Sequence, residues 1–257
     1  MTEALALSVV LPVHDEGEIL ARSVEALDAG CASLVDGHEI LLMENGSRDD
    51  TLAVARRLAE RPRVRVFTNA RASYGQAMRA GLFLSRAARC AVLNVDLWDL
   101  GFLREALARL DHVDVVVGSK RHSDARDERP ASRRLVTELF NRWLEAAFAH
   151  PGTDTHGMKA FRRAALVPLA ARCETRDLLF DTELLLRAVR AGCTFEELPV
   201  HVREVRPPRS SPFARVGPAL REMAVLRRAM HRLDSPADDV GARVEAAVGA
   251  WSTVTAS

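Results

Sequence analysis

The chain has 257 residues, 48% of them hydrophobic and 28% charged, which excludes a disordered or fibrous protein and allows one domain with a sizeable core. A formal net charge of +1 creates no general field for nucleic acid. Aromatic residues are 5%, with Tyr74 the single tyrosine, so no stacking platform for single strands is expected.

Ala6 to Leu11 (A-L-S-V-V-L) reads as a buried strand stopped by Pro12. Asp15 with Glu18 three places on has the pattern of a capping box, and Ile19, Leu20, Val24 and Leu27 give the following helix its apolar face. His38 to Met43 is the second strand. Ser47 to Asp50 is a second capping box, opening a helix through Leu52, Ala55 and Leu58. Val64 to Thr68 is a third strand, and Tyr74 to Ala88 a third helix.

The fourth strand, from Cys90 to Leu93, ends in Asn94-x-Asp96. On an extended chain residues two apart point the same way. An amide oxygen and a carboxylate would then emerge together at a strand's carboxyl end, where open α/β sheets bind ligands. Such a carboxylate can hold one face of a Mg²⁺ or Mn²⁺ ion whose other ligands are phosphate oxygens. The same two residues also suit a simple turn.

A helix from Gly101 to Leu110 and a strand from Val113 to Val117 follow. This alternation predicts an α/β fold with a mostly parallel, doubly wound sheet flanked by helices. Ser119 to Arg134 is polar and charged and reads as a long loop; Leu135 to Phe148 is an amphipathic helix. A second block holds an extended piece around Gly157 to Phe161, a helix to Ala171, a helix from Asp181 to Ala191 with Asp181 a natural N-cap, and a strand from Thr194 to Val202. Between His201 and Leu233 eight arginines face Glu204 and Glu222, around a helix from Val216 to Leu233. Residues 234–257 are expected to be frayed or weakly helical.

Cys31, Cys90, Cys173 and Cys193 form no C-x-x-C pair and are expected as buried free thiols in a reducing compartment. Glu3 and the lack of a basic leading stretch argue against a signal peptide. No apolar run reaches the roughly 18 residues of a membrane span. The expected location is cytoplasmic, with peripheral contact at the inner face of the membrane allowed. No G-x-G-x-x-G follows the first strand, which ranks a dinucleotide oxidoreductase far lower.

Four stretches stand in an order and spacing that resembles the inverting family 2 glycosyltransferases of GT-A fold, in particular the dolichol- and polyprenyl-phosphate mannosyl- and glucosyltransferases. Ser8 to Glu16 (S-V-V-L-P-V-H-D-E) is similar to the family's S-V-V-I-P-x-Y-N-E. Glu44 to Thr51 (E-N-G-S-R-D-D-T) is similar to D-D-G-S-x-D-x-T. Asn69 through Tyr74, Gly75 and Ala77 to Gly81 resembles N-x-G-x-G-x-A-x-x-x-G, and Asn94 to Asp96 replaces D-x-D. Gly118 to Lys120, Asp154 through Gly157 to Lys159, Phe180 to Leu185 and Glu197 to Val200 resemble later elements of that family.

The resemblance implies a GT-A domain over residues 1–211, with a nucleotide-sugar half (1–118) and an acceptor half (119–211), then a helical extension (212–257). It implies donor contacts from Pro12, Glu16, Glu44, Asn69, Gly75, Asn94 and Lys120, with Gly75 and Gly81 letting the backbone approach the nucleotide. Asp96 with Asn94 would hold Mg²⁺ or Mn²⁺ on the diphosphate. Lys159, Arg203 and Arg206 would meet the acceptor or its phosphate. The implied reaction moves a hexose from a nucleoside-diphosphate sugar to a polyprenyl phosphate with inversion. A soluble hydroxyl acceptor is the alternative and needs a carboxylate base, Asp154 or Asp181. A nucleotide-sugar binder without turnover is a third reading, prompted by Asn94. A peripheral membrane contact and a second copy of the chain complete the partners considered.

Overall fold

In the computed structural model the described residues are 5–119, 131–148, 155, 157–200, 216–232 and 240–255, with side chains described from 138 onward in the second of these segments. The elements are β1 (Leu7–Val13), α1 (Gly17–Leu34), β2 (His38–Asn45), α2 (Thr51–Leu58), β3 (Val64–Asn69), α3 (Tyr74–Leu84), β4 (Arg89–Val92), α4 (Leu100–Arg109) and β5 (Val115–Ser119). They continue with α5 (Ala131–Phe148), β6 (Lys159–Arg162), α6 (Arg163–Arg172), α7 (Phe180–Arg190), β7 (Phe195–Pro199), α8 (Val216–His231), α9 (Val240–Gly249) and β8 (Ser252–Val254).

One eight-stranded sheet runs in the order β7-β5-β6-β4-β1-β2-β3-β8. β6 and β8 run against the remaining strands, so the sheet is mostly parallel. Side chains alternate across it as strand geometry requires. Leu7, Val9, Leu11, Ile40 and Leu42 face α1, α2 and α4, whereas Val10, Leu41 and Met43 face the layer of α3, α6, α7 and α9. Chain order reverses between β1 and β4, and a crevice at the strands' carboxyl ends follows from that reversal.

Pro12 does not stop β1. It lies within the strand, opposite Met43. Val10 accepts the Leu93 N–H, so the backbone groups of Val10 and, two residues on, Pro12 face β4. β4 pairs only as far as Val92, opposite Val10. Proline's missing N–H therefore interrupts no ladder bond.

The helix starts also differ from expectation. Asp15 and Ser47 are not N-caps: α1 begins after Glu16 and α2 after Asp50, and neither cap residue makes a side-chain capping bond. α3 ends at Leu84 rather than Ala88. The helix α5 already begins at Ala131, inside the expected loop; residues 120–130 lie outside the described residues.

The greatest departure is at the C-terminus. Ser252–Val254 pairs antiparallel with β3, and Trp251 is buried in the core on the α3 side. The stretch expected to be frayed or weakly helical thus holds the helix α9 and then returns as an edge strand. α8 joins α5 and α7 in a smaller apolar cluster centred on Leu144, Leu186, Leu226 and Met230.

At the amino ends of the strands Glu39 is 3% exposed. Its carboxylate accepts from Ser8 Oγ at 2.7 Å, the Arg86 N–H at 2.8 Å and Arg65 at 2.9 Å. Removing one partner of a buried ion pair leaves an uncompensated charge. Glu39→Ala should therefore lower stability by about 3 kcal/mol in a urea titration. Donor affinity of the folded fraction should not change, because Glu39 sits at the sheet edge opposite the crevice.

Candidate active site

Two loops build the crevice floor. The β1–α1 loop carries Asp15 with φ 55°, a left-handed conformation that a short polar side chain tolerates. Its N–H donates to Ser47 Oγ at 3.0 Å, and its carboxylate accepts the Arg48 N–H at 2.7 Å. The Glu16 N–H donates to Thr51 Oγ1 at 2.7 Å and the Gly17 N–H to Asp49 at 3.2 Å. Gly46 adopts φ +70°, and a Cβ there would stand 2.6 Å from the Ala70 carbonyl, which makes glycine obligatory in the second loop.

Asn45, at the end of β2, ties three elements together. Its amide donates to the Val13 carbonyl at 2.8 Å, and its oxygen accepts the Ser73 N–H at 3.0 Å. The Asn45 carbonyl accepts from His14 Nδ1 at 2.9 Å. Ser73 caps α3 and donates to the Arg176 carbonyl at 3.0 Å.

The result is a cleft of about 410 Å³ lined by Pro12, His14, Glu16, Asn45, Ser73, Tyr74, Asn94, Asp96, Asp177 and Leu178, among others. Burial, with the charge of Asp181 second, pushes the Tyr74 phenol well above its ordinary value. The opposite wall, Asp177 to Leu179, is held by Glu222 of α8, whose carboxylate accepts the Asp177 N–H at 3.0 Å and the Leu179 N–H at 2.7 Å.

Asn94 and Asp96 share this cleft, for a reason other than strand alternation. β4 ends at Val92, and a turn closes through the Leu97 N–H to the Asn94 carbonyl at 3.2 Å. The Val95 carbonyl accepts from Ser23 Oγ, which in turn accepts the Trp98 indole N–H at 2.7 Å. The turn is thus pinned to α1, with Asp96 exposed at its tip. Among the described residues no group of three or more His, Cys, Asp or Glu could hold a metal ion. One carboxylate and one amide oxygen fit a Mg²⁺ or Mn²⁺ ion completed by diphosphate oxygens and water.

Several expected site residues are elsewhere. Glu44 is 2% exposed, and its carboxylate accepts the Ser47 N–H and the Thr68 hydroxyl. It does not line the cleft; its neighbour Asn45 does. Asn69 accepts the Arg71 N–H with its own side chain and is likewise outside the lining. Gly75 packs against the chain at Arg176, whose carbonyl oxygen would be 2.4 Å from an added Cβ. Gly81 packs on Val10 in the same way, at 2.3 Å.

Lys159 and Asp181 are each 1% exposed and pair at 3.1 Å, with Lys159 also donating to the Gly157 carbonyl. Neither lines the cleft, and Asp181 is not the N-cap of α7 but lies in its first turn, where its carboxylate accepts the Thr182 N–H at 2.8 Å. Glu183 is fully buried, accepting from the Glu174 and Thr175 backbone, Thr175 Oγ1 and Arg187. Lys120, Asp154, Arg203 and Arg206 lie outside the described residues.

Sequence reasoning missed Asn45, Ser73 and Asp177. Asn45 stands in the E-N-G-S motif and Ser73 three places before Gln76, so both carried a local signal. Asp177 carried none, because only tertiary docking brings it to the cleft.

A three-layer α/β fold with an exposed carboxylate at a carboxyl-end cleft is the architecture of a GT-A glycosyltransferase. The chain matches glycosyl transferase family 2 over residues 8–167, and it belongs to that family. Glycosyltransferase AglD of Haloferax volcanii is 30% identical over 203 residues, covering 76% of this chain, which spans only 32% of that relative's length. Dolichyl-phosphate beta-glucosyltransferase of Saccharomyces cerevisiae is 25% identical over 229 residues, covering 79% of this chain and 68% of that one. The solved glucosyl-3-phosphoglycerate synthase of Mycobacterium tuberculosis, bound to Mn²⁺, UDP and phosphoglyceric acid, superposes with a TM-score of 0.64 at 22% identity, over 98% of this chain and 86% of that one. That likeness establishes the fold. No helix among the described residues is long and apolar enough to cross a membrane.

The loop staple has its own pH signature. Burial raises the Asp49 carboxyl, but hydrogen bonds from Thr51 and Gly17 outweigh it, so its pKa falls below the ordinary 3.8. A carboxyl lowered on folding stabilises above its unfolded value and loses that contribution as pH drops through the folded one. The melting-temperature gap between wild type and Asp49→Asn should be constant near neutrality and should close below about pH 4.

Proposed function

We propose that the protein transfers a hexose from a nucleoside-diphosphate sugar to a polyprenyl phosphate with inversion at the anomeric carbon. The observation that carries this reading is the meeting of Asp96 and Asn94 with Pro12, Glu16 and Asn45 in one cleft. Relatives named for dolichyl phosphate and, in Pseudomonas syringae, for an undecaprenyl-phosphate 4-deoxy-4-formamido-L-arabinose transferase 30% identical over 176 residues support the acceptor class.

In this reading Pro12, Glu16 and Asn45 seat the nucleoside at the pinned loops. Asp96, with Asn94, stands at the diphosphate. A divalent ion held by these two residues would neutralise charge developing on the leaving diphosphate. An acceptor phosphate oxygen forms the new bond to the anomeric carbon, and the electron pair of the broken bond leaves on the diphosphate. A phosphate is already ionised, so no general base is needed. The burial of Asp181 in its pair with Lys159 agrees, since Asp181 is one of the two expected bases.

Asp177 favours a second reading. Exposed Asp177 lines the same cleft as Asp96, where its carboxylate could take a proton from a soluble hydroxyl acceptor.

The test is a radiolabelled transfer assay with polyprenyl phosphate in detergent, a panel of nucleoside-diphosphate sugars, and Mg²⁺ or Mn²⁺. A sugar-labelled lipid should form, Asp96→Ala should lower its rate about 100-fold, near 2.7 kcal/mol of barrier, and Asp177→Asn should leave the rate within about twofold. Lipid product absent with every donor, alongside glycosylation of a hydroxyl acceptor that Asp177→Asn abolishes, would replace this reading with the second.

A further inference from the structure

The cleft is short of hydrogen-bond donors for an anion. Among its described lining residues there is no lysine or arginine, and most of the side-chain donors are spent on the scaffold. His14 Nδ1 donates to the Asn45 carbonyl, the Asn45 amide to the Val13 carbonyl and Ser73 Oγ to the Arg176 carbonyl. The amide of Asn94 and the hydroxyl of Tyr74 remain. Tyr74, the single tyrosine of the chain, opens α3 directly after its cap Ser73. Its half-buried ring packs on the core of the α3 side. A phenol placed there only as filling would take a partner for its hydroxyl, as buried tyrosines ordinarily do. This hydroxyl bonds to no group among the described residues. Nor is it one of their sealed, unpartnered polar atoms, which are His38 Nδ1, Arg79 Nε and Arg172 Nε. It therefore keeps an opening, and Tyr74 lines the cleft. Burial, with the charge of Asp181 second, holds the phenol well above its ordinary value, so it stays an O–H donor through neutral pH.

We propose that Tyr74 binds the sugar donor directly, its hydroxyl donating a hydrogen bond to a diphosphate oxygen. This role rests on the donor half of the proposed reaction, in which Asp96 and Asn94 stand at the diphosphate in the same cleft, and not on the acceptor. A diphosphate carries more oxygens than one divalent ion meets. With no lysine or arginine in the described lining, the oxygens left over need neutral donors. A hydrogen bond to an ionised oxygen is about twice as strong as a neutral one. Because the ring is already packed, little side-chain freedom is lost when that bond forms.

The test uses the full chain with ¹³C at the tyrosine Cζ, which gives one signal, and UDP and GDP with Mg²⁺ as probes. Saturating nucleoside diphosphate should shift the Tyr74 signal, whereas uridine or guanosine should leave it in place. By calorimetry, Tyr74→Phe should weaken nucleoside-diphosphate binding about tenfold while keeping the wild-type melting curve. A signal that the diphosphate does not move, a shift that the nucleoside alone reproduces, or a variant that binds as tightly as wild type would each overturn the contact. A lowered melting temperature with unchanged affinity would assign the hydroxyl to the fold and overturn it too. Binding that Tyr74→Phe weakens, alongside a transfer assay that yields no lipid product, would leave the contact standing and overturn the polyprenyl-phosphate acceptor instead. Failure of wild type to bind either diphosphate would overturn both.

Discussion

The crevice depends on a lattice of hydrogen bonds between two loops distant in sequence. The first N–H groups of a helix have no partner within it and must find one. In α1 two of the groups at its start, those of Glu16 and Gly17, are met by Thr51 and Asp49 at the start of α2. The need that a local cap would ordinarily satisfy is turned into a bond between loops. Each such bond contributes only about 1 kcal/mol net, but breaking one leaves a donor unmet in a half-buried place, which costs more. This fixes Pro12 and Glu16 against Asn45 before any ligand arrives.

The same lattice shows where sequence reading succeeds and where it stops. The strands were legible because β1 and β2 are apolar on both faces, and a continuous run of Val, Leu and Ile in such short segments admits few other fates. The helix faces followed from their period. Ser47 was read as a local cap, since S-x-x-D looks the same whether the hydroxyl serves its own helix or, as here, the Asp15 N–H. β8 was missed because three residues that gain order by pairing with a finished edge carry little signal of their own. Asn94 and Asp96 were placed together correctly, but a turn rather than pleat geometry does it.

Carboxylates divide into two populations here, and motif position does not separate them. Glu39, Glu44, Asp181 and Glu183 are nearly inaccessible, and each is met by hydrogen-bond donors. Such groups are costly to bury unless fully satisfied, and once satisfied they hold elements in register instead of meeting substrate. Asp96 and Asp177 are exposed at the cleft. Two framework acids, Glu44, expected at the donor, and Asp181, expected as a base, lie in motifs that invite those roles, and both are buried.

The cleft wall formed by Asp177 and Leu178 has the same logic at larger scale. The segment from Glu174 to Leu179 has no regular structure of its own beyond its turns, yet it is gripped from two directions. Glu183 in α7 accepts the Glu174 and Thr175 N–H groups, while Glu222 in α8 accepts those of Asp177 and Leu179. Ser73 adds a third hold, donating to the Arg176 carbonyl from the start of α3. A loop fixed by two carboxylates and a hydroxyl on three helices cannot shift without breaking charge-assisted bonds, which are about twice as strong as neutral ones. The position of Asp177 in the cleft is therefore set by how α8 docks on α7, some 45 residues further along the chain. Through that contact the late helices, far from the β1–β4 reversal in sequence, take part in shaping the site.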